Sequence, residues 1–77
     1  MQDGERADRQ LRLERMMREY GTSLLRMCTL QLGDPSLAED AVQDAFVKAY
    51  RQMSGFRGQS SERTWLMSIA INTCRDY

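Results

Sequence analysis

The tripeptide Gly33-Asp34-Pro35 constrains this chain more than any other feature. Glycine just past a helix end is the usual stop signal. Aspartate followed by proline is a start signal: the carboxylate caps free backbone N–H groups, and proline at the first helical position gives up no hydrogen bond. Ser36 with Glu39 forms a competing capping box, so the second start is set only to within two residues. On both sides apolar residues recur at three- and four-residue steps, and no stretch alternates as a strand would. The predicted fold is all-α.

A chain of 77 residues allows one small domain with a thin core, so every apolar helix face must be used. The first helix is predicted to start between Arg6 and Asp8 and to run to Leu32, with Leu13, Met17, Tyr20, Leu24, Met27 and Cys28 on its apolar face. Gly21 inside it costs about 1 kcal/mol relative to alanine and marks a kink or a close helix–helix approach. The second helix is predicted to reach Met53, presenting Ala38, Ala41, Val42, Ala45, Phe46, Ala49, Tyr50 and Met53 on one face. Ser54 to Gln59 is a loop with Gly55 and Gly58 as breakers. Ser60 or Ser61 caps a last helix that runs to the C-terminus and buries Leu66, Ile69, Ala70, Thr73 and Tyr77. The architecture expected is a small bundle of three main helices joined by short loops.

Composition removes several function classes. The chain has no histidine, and Cys28 and Cys74 lack CxxC spacing, so no metal site or cofactor is expected. The two thiols are read as reduced. No nucleophile–base pair or phosphate-binding glycine motif supports an enzyme. No apolar run is long enough to span a membrane, and the polar start Met-Gln-Asp-Gly-Glu-Arg lacks a signal-peptide segment, so a cytoplasmic location is expected. Net charge is zero, but the charges are segregated. Residues 33–44 carry Asp34, Glu39, Asp40 and Asp44 with no Lys or Arg. Residues 45–77 carry Lys48, Arg51, Arg57, Arg63 and Arg75 against Glu62 and Asp76. Local sign steers partners more than the total does.

Three constellations follow. Asp40, Gln43, Asp44 and Val47 stand at i, i+3, i+4 and i+7 of the second helix, a stripe suited to a basic partner helix. A solvated polar face with one exposed valine would carry the same pattern. The loop from Phe56 through Arg57, Gly58, Gln59, Ser60 and Ser61 sets an aromatic ring and a guanidinium between glycines, where an extruded base and its phosphates fit. It also reads as a plain turn with Phe56 tucked into the core. On the last helix Trp65 offers a stacking face or a core ring. Asn72 projects away from the buried face with an amide able to bond a base edge, and Arg63 and Arg75 are expected to flank it as phosphate contacts. Stacking rings, guanidiniums and amides are the equipment of single-strand binding.

The segments Ala38–Tyr50, Phe56-Arg57-Gly58, Thr64-Trp65-Leu66 and Ile69-Ala70-Ile71-Asn72 resemble region 2 of bacterial extracytoplasmic-function sigma factors. The resemblance covers roughly Leu13 to Tyr77. It implies residues 1–12 as a polar N-terminal segment and helix start and 13–77 as the region 2 domain, with no region 4 helix-turn-helix in the chain. It implies a transcription initiation module, without catalytic activity, whose acidic stripe docks onto the β′ clamp helices of core RNA polymerase. It further implies that the Phe56–Ser61 loop and the Asn72 surface bind the non-template strand of the promoter −10 element, and that an anti-sigma factor is a further partner. Met67 and Ser68 depart from the aromatic and basic residues of many relatives there. A helical protein-interaction domain without DNA reading is the alternative of a different class.

Overall fold

A computed structural model describes residues 2–77, and side chains at residue 4 and residues 6–77. Helix α1 spans Gln2–Leu32, α2 spans Pro35–Gln52 and α3 spans Glu62–Arg75. A 3-10 turn over Met53–Gly55 extends α2 into the loop. No strand occurs among the described residues, and no helix is long and apolar enough to cross a membrane. The fold is the predicted all-α bundle of three helices.

The junctions follow from their residues. Gly33 has φ +69°, the left-handed region that glycine enters without penalty, and its N–H donates to the Thr29 carbonyl at 2.8 Å. The Asp34 carboxylate then accepts from the N–H groups of Ser36 (2.8 Å) and Leu37 (3.3 Å), with Pro35 at the first helical position. The Asp-Pro start therefore prevails over the Ser36/Glu39 box. At the third helix Ser61, not Ser60, is the cap: its Oγ accepts from Thr64 N–H at 3.1 Å.

Helix α2 packs against both neighbours, and its sequence shows why. Ala38, Ala41, Ala45 and Ala49 are all fully buried. Small side chains let two helices approach one central helix closely. Phe46 and Met53 fill the remaining volume against Met16, Leu24 and Cys28 of α1 and Leu66, Ile69, Ala70 and Cys74 of α3.

Several expectations are corrected. Helix α1 begins at Gln2, well before Arg6. Its buried methionine is Met16; Met17 is 48% exposed. Adjacent methionines fit three- and four-residue steps equally well, so only packing distinguishes them. Helix α1 continues through Gly21, and nothing lies within 4 Å of where its Cβ would stand, so Gly21 marks no close approach. Helix α3 stops at Arg75, and Tyr77 is 47% exposed instead of buried; Cys74 takes the place expected of it in the core.

Candidate functional site

The acidic stripe of α2 lies on the surface as its spacing requires. Asp40, Gln43, Asp44 and Val47 are all exposed. Its members face two ways. Gln43 and Val47 line an apolar groove between α1 and α2, together with Leu13, Met17, Gly21, Val42, Phe46, Tyr50 and Arg51. This groove explains why Met17 and Val47 are uncovered apolar residues. Asp44 turns the other way and accepts a hydrogen bond from the Tyr77 hydroxyl. That bond, with burial second, pushes the Tyr77 phenol up to about 12. Next to it Lys48 pairs with Asp76 at 3.5 Å.

The loop is braced from within. Gln59 Oε1 accepts from Arg57 N–H at 2.8 Å, and Gln59 Nε2 donates to the Gly55 carbonyl at 3.3 Å. Phe56 N–H donates to the Met53 carbonyl at 3.1 Å. Gly58, at φ +79°, makes the turn that an L side chain would strain. Arg57, Gly58, Gln59, Ser60 and Ser61 are exposed, whereas Phe56 is half-buried. The Phe56 ring stacks on Trp65 with centroids 4.8 Å apart, so these two rings occupy each other's faces.

On α3, Trp65, Ser68 and Asn72 stand at i, i+3 and i+7, one stripe rising from the loop. Asn72 and Arg75 are exposed. Asn72 lines a groove with Lys48, Arg51 and Gln52 of α2 and Ile69. Arg63 does not flank Asn72 as expected. Nine residues separate them, two and a half turns, which places Arg63 on the opposite side of the helix. There it lines a depression with Ser23, Arg26, Met27, Leu30 and Gln31 of α1 and with Met67. The cations beside Asn72 are thus Lys48 and Arg51 across the groove and Arg75 at i+3 on its own helix. The spacing of Lys48 and Arg51 on α2 gave no hint of this, because the pairing of α2 with α3 is a tertiary fact.

The described residues thus form a three-helix bundle with an acidic and apolar surface and a neighbouring groove of cations and amide, a geometry open to many helical families. Comparison with known proteins says which. The sequence profile of the family described as Sigma-70 region 2 matches residues 16–77. The chain is 41% identical over 59 residues to an RNA polymerase sigma-H factor of Pseudomonas aeruginosa, covering 77% of this chain and 31% of the relative. It is 55% identical over 38 residues to an ECF RNA polymerase sigma-E factor of Escherichia coli, covering 49% and 20%. It is 46% identical over 55 residues to the ECF RNA polymerase sigma factor SigG of Mycobacterium tuberculosis, covering 71% and 15%. The chain belongs to the sigma-70 region 2 family, in its extracytoplasmic-function branch. It spans less than a third of the length of each of these relatives.

Proposed function

We propose that the chain is a transcription initiation module that joins core RNA polymerase to promoter DNA. Asp40, Gln43, Asp44 and Val47, with the apolar groove beside them, dock onto the β′ clamp helices. An amphipathic partner helix seats apolar residues in such a groove and sets basic ones against the carboxylates. The Phe56–Ser61 loop and the Trp65–Ser68–Asn72 stripe hold the non-template strand of the −10 element. The observation that carries this reading is the groove that sets the Asn72 amide beside Lys48 and Arg51. An amide there bonds a base edge while the cations neutralise the phosphates on either side. Because Phe56 and Trp65 already stack on each other, a flipped base rests on the edge of that pair and the loop backbone.

Single-stranded DNA titrations at low salt test the reading. Arg51→Ala and Arg57→Ala should weaken all strands alike and flatten the salt dependence. Asn72→Ala should lose about 1–3 kcal/mol of preference for a −10 sequence over a scrambled one, with little change in salt slope. Arg63→Ala should do neither, given its place on the far side of α3. A parent chain with no sequence preference would leave a protein-docking module that does not read DNA.

A further inference from the structure

Four side chains from distant parts of the chain meet where the loop enters α3. Glu62, the first residue of α3, has a side chain only 18% exposed. Its Oε2 accepts from Arg12 Nε at 3.1 Å and from Arg15 Nη2 at 2.7 Å, and its Oε1 accepts from the Tyr20 hydroxyl at 3.3 Å. All three donors lie on α1, 42 to 50 residues away in sequence. The Arg12 guanidinium also lies over the Phe56 ring, 5.5 Å from its centroid. Phe56 in turn stacks on Trp65.

This chain of contacts has a particular consequence. The loop's own hydrogen bonds are short-range and hold its shape only. Besides the Ser61 cap, the Phe56 ring ties the loop to its surroundings, contacting both Trp65 and the Arg12 guanidinium. Arg12 is in turn oriented by Glu62. A planar guanidinium can bond a carboxylate along its edge and cover an aromatic ring with its face at once, which a lysine ammonium cannot do.

We propose that Arg12 and Glu62 are positioning residues for strand reading: Glu62 orients the Arg12 guanidinium, and Arg12 seats Phe56 so that the loop presents its backbone and Arg57 at a fixed angle to the Asn72 stripe. The proposal rests on the strand-binding reading of that loop. Neither residue touches the strand; both act through Phe56.

Arg12→Lys, Arg12→Ala and Glu62→Gln in the 77-residue chain test it by two measurements. The first is amide hydrogen exchange of residues 56–61 relative to the buried alanine positions of α2. The second is the ratio of affinities for a −10 strand and a scrambled strand at low salt. The expected result is loop exchange about tenfold faster in all three variants than the change in global stability, read at the α2 positions, accounts for. The affinity ratio should fall about three- to tenfold at unchanged salt slope, and Arg12→Lys should not rescue it. A merely structural role would speed exchange throughout and leave the ratio intact, and that outcome overturns the proposal. So does a parent-like ratio in variants whose parent discriminates. A parent that does not discriminate overturns the strand reading itself, and the proposal with it.

Discussion

Phe56 and Trp65 stack with ring centroids 4.8 Å apart and planes inclined by 28°, joining the loop to the first turns of α3. The sequence left each ring open to a core or a stacking role, core being the commoner one for a lone tryptophan, and here the two rings pack on each other. Each is half-buried, packed on the other at the edge of the core. Phe56→Ala removes this partner and bares one face of Trp65. The expected loss is about 1–3 kcal/mol, from lost burial together with the aromatic pair itself. Thermal unfolding and a red shift of Trp65 emission check it; an unmoved emission spectrum would mean that the pair does not persist in solution.

The fold was largely legible because its signals are local. Gly33, Asp34, Pro35 and Ser61 act through backbone groups one to four residues away, and each behaves as its chemistry requires. The exposure of Asp40, Gln43, Asp44 and Val47 follows from the same local helical spacing, but their facing two ways does not. What was illegible depends on which helices meet. Met16 and Met17 differ only in a packing partner. Arg63 was placed beside Asn72 by proximity along the chain, although helical geometry puts them on opposite sides. Glu62 stands among nearby cations in the sequence, whereas its partners Arg12, Arg15 and Tyr20 come from the first helix, 42 to 50 residues away. The i, i+3 spacing of Arg12 and Arg15, with Tyr20 beyond them, was the one available hint of a shared acceptor.

The docking stripe divides by charge reversal. Asp40→Lys should weaken binding to a β′ clamp-helix fragment by about 1–3 kcal/mol while helicity stays intact. Asp44→Lys should do the same, but it also breaks the bond from Tyr77. Tyr77→Phe is therefore the matched control, because it removes the hydroxyl and leaves the carboxylate free. Full binding by both lysine variants would reduce the stripe to a solvated face.

Cys28 and Cys74 bring their sulfurs to 2.9 Å inside the core as free thiols, Cys74 donating to Cys28. Burial first, and the neighbouring thiol second, push the Cys28 thiol above its ordinary value. Its thiolate is thus scarce at ordinary pH, and the thiolate is the reactive form. A disulfide reagent at pH 8 should label Cys28 slowly in the folded chain and promptly in denaturant. Replacing both residues with alanine should cost only packing, about 1–3 kcal/mol in all. Prompt labelling under native conditions would show that the contact between α1 and α3 opens readily.

Glu62 gives the fold a predictable acid limb. Hydrogen bonding from Arg15 above all, with Arg12 adding to it, holds its carboxyl below the ordinary glutamate value of 4.5, against an opposing effect of burial that is second in size only to Arg15. The folded state therefore binds this proton less readily than the unfolded chain does. The stabilisation is fully present above about pH 4.5 and is lost as pH falls through the depressed folded value. Glu62→Gln removes the charge and leaves two guanidiniums facing a neutral amide. It should destabilise the domain by about 1–3 kcal/mol at neutral pH. Melting temperatures of the parent and Glu62→Gln, followed from pH 7 to pH 2.5, should then converge in acid as the parent's own carboxyl protonates. A gap that stays constant across that range would mean that the ion pairs to Arg12 and Arg15 contribute nothing to the folded state.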